Sequence, residues 1–386
     1  MTTLESVRAL LPEVAKRADD VERDRGLPTG LLDQLRAAGC LRMAVPRTHG
    51  GSELAMPDVL RVVEALATAD GSVAWSIGQV ALSQLIIGCA PPVTVAAVYA
   101  GGPDVYAAGA VAPKGRATTV DDGWRVSGQW PFVTGCERAS WIYLNCVLVS
   151  GRTVVMDGER PATRIMLLPV DRVAVVDTWR TLGLRGTGSH DVSVGQVFCP
   201  ADQALAKGAE SAERAATGIA QSSLIIAATA VGIATAALRD VTSLATSGKR
   251  PALSATRLQS SLTFQERLGE AQMTLQAARA VVYAQFDDHY TGSRADTDTD
   301  GDGDGDGDGA LRRARYRAAA AQATAMAAQA VDMAYGLAGG TAIYDGATLQ
   351  RRMRDVRTAT QHFVVGRNSF AAYGALMVGA DGGSGA

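Results

Sequence analysis

The sequence is poor in aromatic residues: Phe, Trp and Tyr together make up 5% of its 386 residues. Apolar residues still reach 47% and charged ones 20%, so wholesale disorder is excluded and the core has to be assembled from Ala, Val and Leu. Ala in that abundance favours helix. An excess of charge of either sign is missing too. Lys and Arg number 37 against 39 Asp and Glu, which gives no basic field for nucleic acid and points to small molecules as partners. The five cysteines, Cys40, Cys89, Cys136, Cys146 and Cys199, are scattered, odd in number and free of C-x-x-C spacing. That argues against a disulfide framework and a zinc site, and for a reducing compartment. The opening segment, Met1 to Gly26, mixes acids and bases with no apolar h-region, and no later stretch holds the ~18 apolar residues of a membrane span undiluted by Gly or Ala. A cytoplasmic chain that does not enter a membrane is expected.

What is present falls into three parts. Up to residue 104 the apolar residues recur at helical spacing, as in Leu31, Leu32, Leu35 and Ala38, or Val59, Leu60, Val63 and Leu66. Pro28 and Thr29 open one helix, Gly39 closes it, and Pro57 and Asp58 start the next. Val45 to Gly51 cannot stay helical. Over 105–203 the period becomes two: Trp124, Val126 and Gly128 alternate with Arg125, Ser127 and Gln129 behind the turn Asp121-Asp122-Gly123. Further strands are expected at Trp141 to Val149, Arg164 to Pro169, Val173 to Val176 and Val192 to Phe198. Strands in succession with no helix between them predict an antiparallel barrel or sandwich rather than a doubly wound sheet. Over 204–386 helix returns, with long segments at Ala216 to Leu238, Leu253 to Phe286 and Ala310 to Leu337, each long enough to span a helix bundle. The expected fold is α+β, mainly α.

Between the last two helices, residues 295–309 carry Asp-Gly pairs and nothing apolar to bury, which predicts a disordered loop. The run opens like a calcium loop, but the twelfth position counted from Asp296 or from Asp298 is glycine where a bidentate Glu is required.

The residues at the joints carry a likeness. Leu35 to Gly39 with Pro46 to Gly51, Val62 to Ala67 with Asp70-Gly71-Ser72, Val126 to Gly135, Gly183 to Ser189, Gly339-Gly340 and Arg354-Asp355, in this order, resemble the acyl-CoA dehydrogenase superfamily over nearly the whole chain. The resemblance implies an N-terminal helical domain, a central antiparallel β-barrel and a C-terminal four-helix bundle. It also implies a flavin between barrel and bundle, with its reactive edge near the Trp130 to Gly135 turn. An isoalloxazine requires an apolar slot, a flat neighbour and a hydroxyl or N–H at its edge. Trp130, Phe132 and Thr134 suit those roles, as they would suit an ordinary strand edge, with Val133 standing where the family often places a hydroxyl. Ser189 and Phe363 join the cofactor set by the same resemblance. Arg250, beside Lys249 and Pro251, stands where the family meets the flavin pyrophosphate, or else is solvated. Gly339 and Gly340 allow close approach of a neighbouring subunit in a homotetramer or homodimer, or simply end a helix.

One absence decides the chemistry. Removing the α-proton of an acyl thioester requires a carboxylate close to the flavin. Most dehydrogenases of the family carry Tyr-Glu-Gly a short distance after the Arg-Asp pair; here that place reads His362-Phe363-Val364. Others place the Glu on the first long C-terminal helix, but no acidic residue occurs between Arg214 and Arg239, where Gln221-Ser222-Ser223-Leu224 stands, and no Glu follows Glu270. Asp332, Asp345 and Asp355 are expected on a helix surface, in a turn and as the partner of an Arg.

The chain is similar instead to the flavin-dependent monooxygenases of this fold, among them phenol hydroxylases and amino-sugar N-oxygenases. The likeness lies in Gly186 to Asp191 and in Leu349 to Arg357. It implies FADH2 or FMNH2 delivered by a separate reductase, O2 as co-substrate and a C4a-hydroperoxyflavin that hydroxylates a small organic molecule at carbon or nitrogen in secondary metabolism. No G-x-G-x-x-G follows a strand to hold a nicotinamide of its own. The candidate catalytic residues are His362 as acid or base, and Thr134 and Ser222 as hydroxyls in an apolar pocket. Of the other histidines, His49 falls in a Gly-rich turn, His289 beside the Asp-Gly run, and His190 in the Gly-Thr-Gly-Ser turn with a local hydrogen-bonding role. Ser83 occupies the place, eight residues after Trp75, where phenol hydroxylases carry a substrate-contacting His. An acyl-CoA or acyl-carrier-protein dehydrogenase with an unrecognised base, and a non-catalytic flavin-binding scaffold, remain open from the sequence alone.

Overall fold

Thr2 opens the chain's first helix with a capping box, its hydroxyl accepting from Glu5 N–H while the Glu5 carboxylate accepts from Thr2 N–H at 2.8 Å. The computed structural model describes residues 1–205, 209–251, 254–287 and 306–379. Six helices come before the sheet: α1 (Thr3–Lys16), α2 (Ala18–Asp24), α3 (Thr29–Ala37), α4 (Met56–Ala67), α5 (Gly71–Ile87) and α6 (Pro92–Val98). Helix α3 starts after Pro28, with Gly39 at φ 87° just beyond its end. Asp70 caps α5 by accepting from Val73 N–H at 2.8 Å. Helix α5 is buried nearly all round, so no polar stripe could announce its orientation.

The strands are β1 (Ala107–Val120), β2 (Gly123–Val133), β3 (Trp141–Ser150), β4 (Thr153–Val154), β5 (Met156–Asp157), β6 (Arg160–Pro161), β7 (Thr163–Pro169), β8 (Ala174–Val176) and β9 (His190–Pro200). Seven of them form one sheet in the order β4-β3-β1-β2-β9-β8, with β7 also on β3, while β5 and β6 pair by themselves. The expected antiparallel barrel is corrected on two counts. The sheet is open at β4 and β8, and β1 and β3 run parallel. The cause is occupancy: the far edge of β2 is taken by β9, so β3 passes over to the other edge of β1.

Three register shifts interrupt the pairing, one of them between Val126 and Gly128 on the β2–β9 ladder. Between Ala110 and Gly115 the β1–β3 register shifts, freeing Val111 to Lys114. Between Trp130 and Val133 the β2–β9 register shifts, and Phe132 takes the left-handed φ of 64°. Pro131 has no N–H to give the ladder at that point.

The long helices are α7 (Ala209–Thr246), α8 (Leu262–Tyr283) and α9 (Asp306–Ala338), followed by α10 (Thr348–Ala359) and α11 (Asn368–Met377). Of the predicted 295–309 loop, 306–309 belong to α9, while 295–305 and His289 lie outside the described residues. Helix α7 packs on α4, α5, α8, α9 and α10. Its segment Ala215–Thr246 is long and apolar enough to cross a membrane, yet 83% of its most apolar stretch is buried inside the protein, as expected of a central core helix. At Gly78 the α5 backbone meets α7 so closely that an added Cβ would lie 2.3 Å from Ile225 Cγ2.

The turn after β8 is locked to α10. Asp355 accepts Leu184 N–H at 2.6 Å, and Gly183 presses on the Arg354 carbonyl with no space for a side chain. The expected Arg partner of Asp355 is therefore corrected: Arg354 reaches Glu22 instead, at 2.8 and 3.0 Å, and Asp355 serves the backbone. Burial, and then the neighbouring Asp70 carboxylate, push the Asp355 pKa up to about 7. A carboxyl whose folded pKa is raised contributes full stability below its ordinary value near 4 and loses it as pH rises through about 7. Asp355→Asn keeps the acceptor without the charge, so its melting temperature relative to the parent should rise between pH 5 and pH 8. Asp355→Leu should lose about 1–3 kcal/mol through the orphaned Leu184 N–H; thermal denaturation across that pH range checks both.

Candidate active site

A cavity of about 490 Å³ opens where the sheet, α5, α7 and the segment after α10 meet, within the ~300–1,000 Å³ common for ligand sites. Two of the bulges form its walls: Val111, Ala112 and Lys114 from β1, and Pro131 and Phe132 from β2. Helix α5 contributes Trp75, Gln79 and Leu82; α7 contributes Ile219, Ser222 and Ile226. Phe132 is 69% exposed and meets Trp179 edge-on, with ring centroids 6.2 Å apart. A non-glycine residue at positive φ with a large apolar side chain in the open is a strained arrangement of the kind found at ligand sites.

Hydroxyls converge on one wall. Trp75 Nε1 donates to Thr134 Oγ1 at 3.3 Å, Thr134 Oγ1 lies 2.9 Å from Ser189 Oγ, and Ser189 Oγ lies 2.8 Å from Thr187 Oγ1. His362 Nδ1 accepts from Val364 N–H at 3.4 Å. Its ring stacks on Phe363 at 4.9 Å and stands edge-on to Trp75 at 5.6 Å. Burial holds the His362 pKa down at about 4. Near neutral pH the ring is therefore neutral with its proton on Nε2. Tyr143, whose phenol is pushed up to about 12 by burial, lines the same space and stays protonated. No Asp or Glu lines the cavity among the described residues; Lys114 is the single Lys or Arg that does.

Of the residues singled out from the sequence, Thr134, Phe132, Ser189, Ser222, His362 and Phe363 line this one cavity. Ser222 donates its proton to Ile219 O at 2.6 Å and presents only lone pairs to a ligand. Trp130 is corrected: it is fully buried, its indole N–H donates to Asn145 O at 2.7 Å, and its ring packs over Gly115. The β2 bulge breaks the two-residue period that would have put Trp130 and Phe132 on one face. Val133 is buried on the core side as well. Arg250, Gly339 and Gly340 are exposed and away from the cavity. His49 packs on Tyr99, and Ser83 donates to Gln79 O at 2.8 Å without lining the cavity.

The sequence reading did not assign Thr187, Trp179, Tyr143, Gln79 or Lys114 to the site. Thr187 had a signal, two hydroxyls at i and i+2 in Gly186-Thr187-Gly188-Ser189; Trp179 had none. It is held by its backbone. His190, fully inside, accepts Thr178 and Trp179 N–H on Nδ1, each at 3.2 Å, and Arg25 binds both Asp177 and Trp179 O. His190→Leu should free Trp179, raising its fluorescence quenching by acrylamide severalfold, while His190→Asn, which keeps an acceptor, should stay near the parent. The pH profile follows from His362: a depressed histidine pKa gives stability that is present above the ordinary 6.5 and lost as pH falls from there through about 4. His362→Phe should remove that acid-limb slope, as read from melting temperatures at pH 4–7.

Comparison with known proteins agrees with this arrangement. Residues 2–90 match the family described as acyl-CoA dehydrogenase, N-terminal domain, and residues 224–367 match acyl-CoA dehydrogenase, C-terminal domain. Indole-3-acetate monooxygenase of Pseudomonas putida is 26% identical over 377 residues, covering 96% of this chain and 92% of that one. The flavin-dependent monooxygenase, oxygenase subunit HsaA, of Rhodococcus jostii is 30% identical over 202 residues, about half of each chain (52% and 51%). Among solved structures, XiaF from Streptomyces sp. in complex with FADH2 and glycerol superimposes with a TM-score of 0.87 at 24% identity, covering 100% of this chain and 96% of that one. The chain belongs to the acyl-CoA dehydrogenase superfamily, in its flavin-dependent monooxygenase branch.

Proposed function

We propose that this protein is the oxygenase component of a two-component system, using reduced flavin and O2 to hydroxylate a small aromatic molecule. The observation that carries this reading is the cavity lining: aromatic faces and hydroxyls, with no carboxylate at the place where a dehydrogenase requires its base. The residues fit a flavin. Phe132, held at positive φ, and Trp179 offer ring surfaces, Thr134 and Ser189 offer hydroxyls at an edge, and Phe363 and Ile226 close the slot. A reduced flavin bound there would supply the two electrons that activate O2, one oxygen atom of which goes to the substrate and the other to water.

The chain's own residues exclude water, orient the substrate and hold a proton. His362 Nε2–H is the donor available to an oxygen that gains charge during transfer. The base role is unsuited, because Val364 N–H already occupies Nδ1 and burial keeps the ring a weak base. Thr134 and Ser222 are the other groups assigned to catalysis. The substrate is aromatic, as named for the indole-3-acetate relative, and Lys114 suits an acidic group on it.

The wider expectations belong to the same proposal. They are borders at residues 104 and 203, a C-terminal four-helix bundle, a homotetramer or homodimer using Gly339 and Gly340, a flavin contact at Arg250, a cytoplasmic location and a separate reductase. The test is aerobic turnover with a flavin reductase, NAD(P)H and FMN or FAD on indole-3-acetate, indole and simple phenols, with hydroxylated product read by mass spectrometry. Reduction of protein-bound oxidised flavin by an acyl thioester without O2 would overturn it. His362→Ala should cut product formation ~10²-fold, and Lys114→Met should raise KM about tenfold for the acidic substrate alone, the scale of one charge-assisted hydrogen bond.

A further inference from the structure

We infer that Thr187, at the buried end of the hydroxyl relay, sets which redox form of the flavin the cavity prefers. The inference rests on the flavin reading above and concerns the direction of four hydrogen bonds. Each hydroxyl has one proton to give and two lone pairs. Thr187 Oγ1 lies 2.9 Å from Leu184 O, which can only accept. With its proton given there, Thr187 receives from Ser189 at 2.8 Å, and Ser189 receives from Thr134 at 2.9 Å. At the other end Trp75 Nε1–H, which can only donate, gives to Thr134 at 3.3 Å. Thr134 has then used its proton and one lone pair. What remains for the cavity is an acceptor.

That polarity matters because the two flavin forms differ in donors. The two-electron-reduced isoalloxazine carries an N–H at N5, whereas the oxidised ring has a bare nitrogen there. A wall hydroxyl fixed as an acceptor favours the reduced form and sets lone pair against lone pair with the oxidised one. Serving the oxidised form would require the whole relay to reverse, and Thr187 would have to withdraw its proton from Leu184 O. That carbonyl keeps Trp179 Nε1–H at 3.0 Å and Thr187 N–H at 3.2 Å in either case, so the cost of reversal is the one hydrogen bond that the relay itself loses, a bias on the order of fivefold. Thr187 is fully buried and acts through Ser189 and Thr134. It is a positioning residue.

The test is binding. Dissociation constants for oxidised and dithionite-reduced FMN and FAD are measured anaerobically on the intact protein by ultrafiltration. The parent should hold the reduced form more tightly. Thr187→Val, which removes the terminal donor and lets Ser189 and then Thr134 point outward, should narrow the reduced-to-oxidised affinity ratio about fivefold. Thr187→Ser should keep the parent ratio. Ser189→Ala cuts the relay at its middle and should narrow the ratio as well, which covers the case in which Thr187→Val does not fold. A residue with a merely structural role would weaken both forms equally, so an unchanged ratio in either cut relay overturns the inference while leaving the flavin site standing. A parent protein that binds neither form overturns the flavin reading itself.

Discussion

The hydrogen bond from Leu184 N–H to Asp355 is the point on which the cavity depends. The segment from Thr181 to Ser189 supplies four wall residues, Thr181, Leu184, Thr187 and Ser189, yet contains no regular element longer than a single 3-10 turn. A stretch of that kind has little order of its own. It is fixed from α10 by Asp355 and the Gly183 contact, and at Asp177 to Trp179 by Arg25 and His190. The same α10 leads straight to His362. One buried carboxylate thus relates the hydroxyl wall to the histidine wall.

The second requirement is that the sheet fail to be regular in two places. A continuous β1 would bury Val111 to Lys114 in the ladder, and a continuous β2 would turn Phe132 into the same layer as Trp130. Bulges re-aim side chains in this way and gather beside functional sites. Asn145 joins the two strands at this depth. Its side chain donates to Val111 O at 2.8 Å and its carbonyl accepts from Trp130, so the indole that does not reach the cavity braces the backbone that does.

This explains what could be read from the chain in advance. Helices and strands were legible because each carries its own period and stops: Pro28 to Gly39, the Asp121-Asp122-Gly123 turn, and the apolar runs of α7 and α9. The absence of a base was legible because no Glu follows Glu270, and among the described residues the wall bears no acid. The partner of β3 was not legible, since strand order is settled by which edges are free after β9 has docked. Nor was the burial of Trp130, because a bulge leaves no mark on the two-residue alternation except Pro131. Arg354 and Asp355 adjoin in sequence but face Glu22 and Leu184 respectively, a division that only tertiary packing decides. His362 and Thr134 were found through likeness to a family; spacing alone does not connect residues 228 positions apart.

Phe132 shows what such a site exacts from the protein that carries it. A side chain bearing a Cβ at φ 64° is held against its own preference, at roughly 1–3 kcal/mol, and its ring gains little from burial where it stands. Glycine or asparagine would sit there with less strain and would leave a gap in the wall. Drift toward sturdier variants would therefore erode the pocket first at this residue, and engineering for heat resistance by relaxing outliers would trade away ligand grip without touching any group that handles a proton.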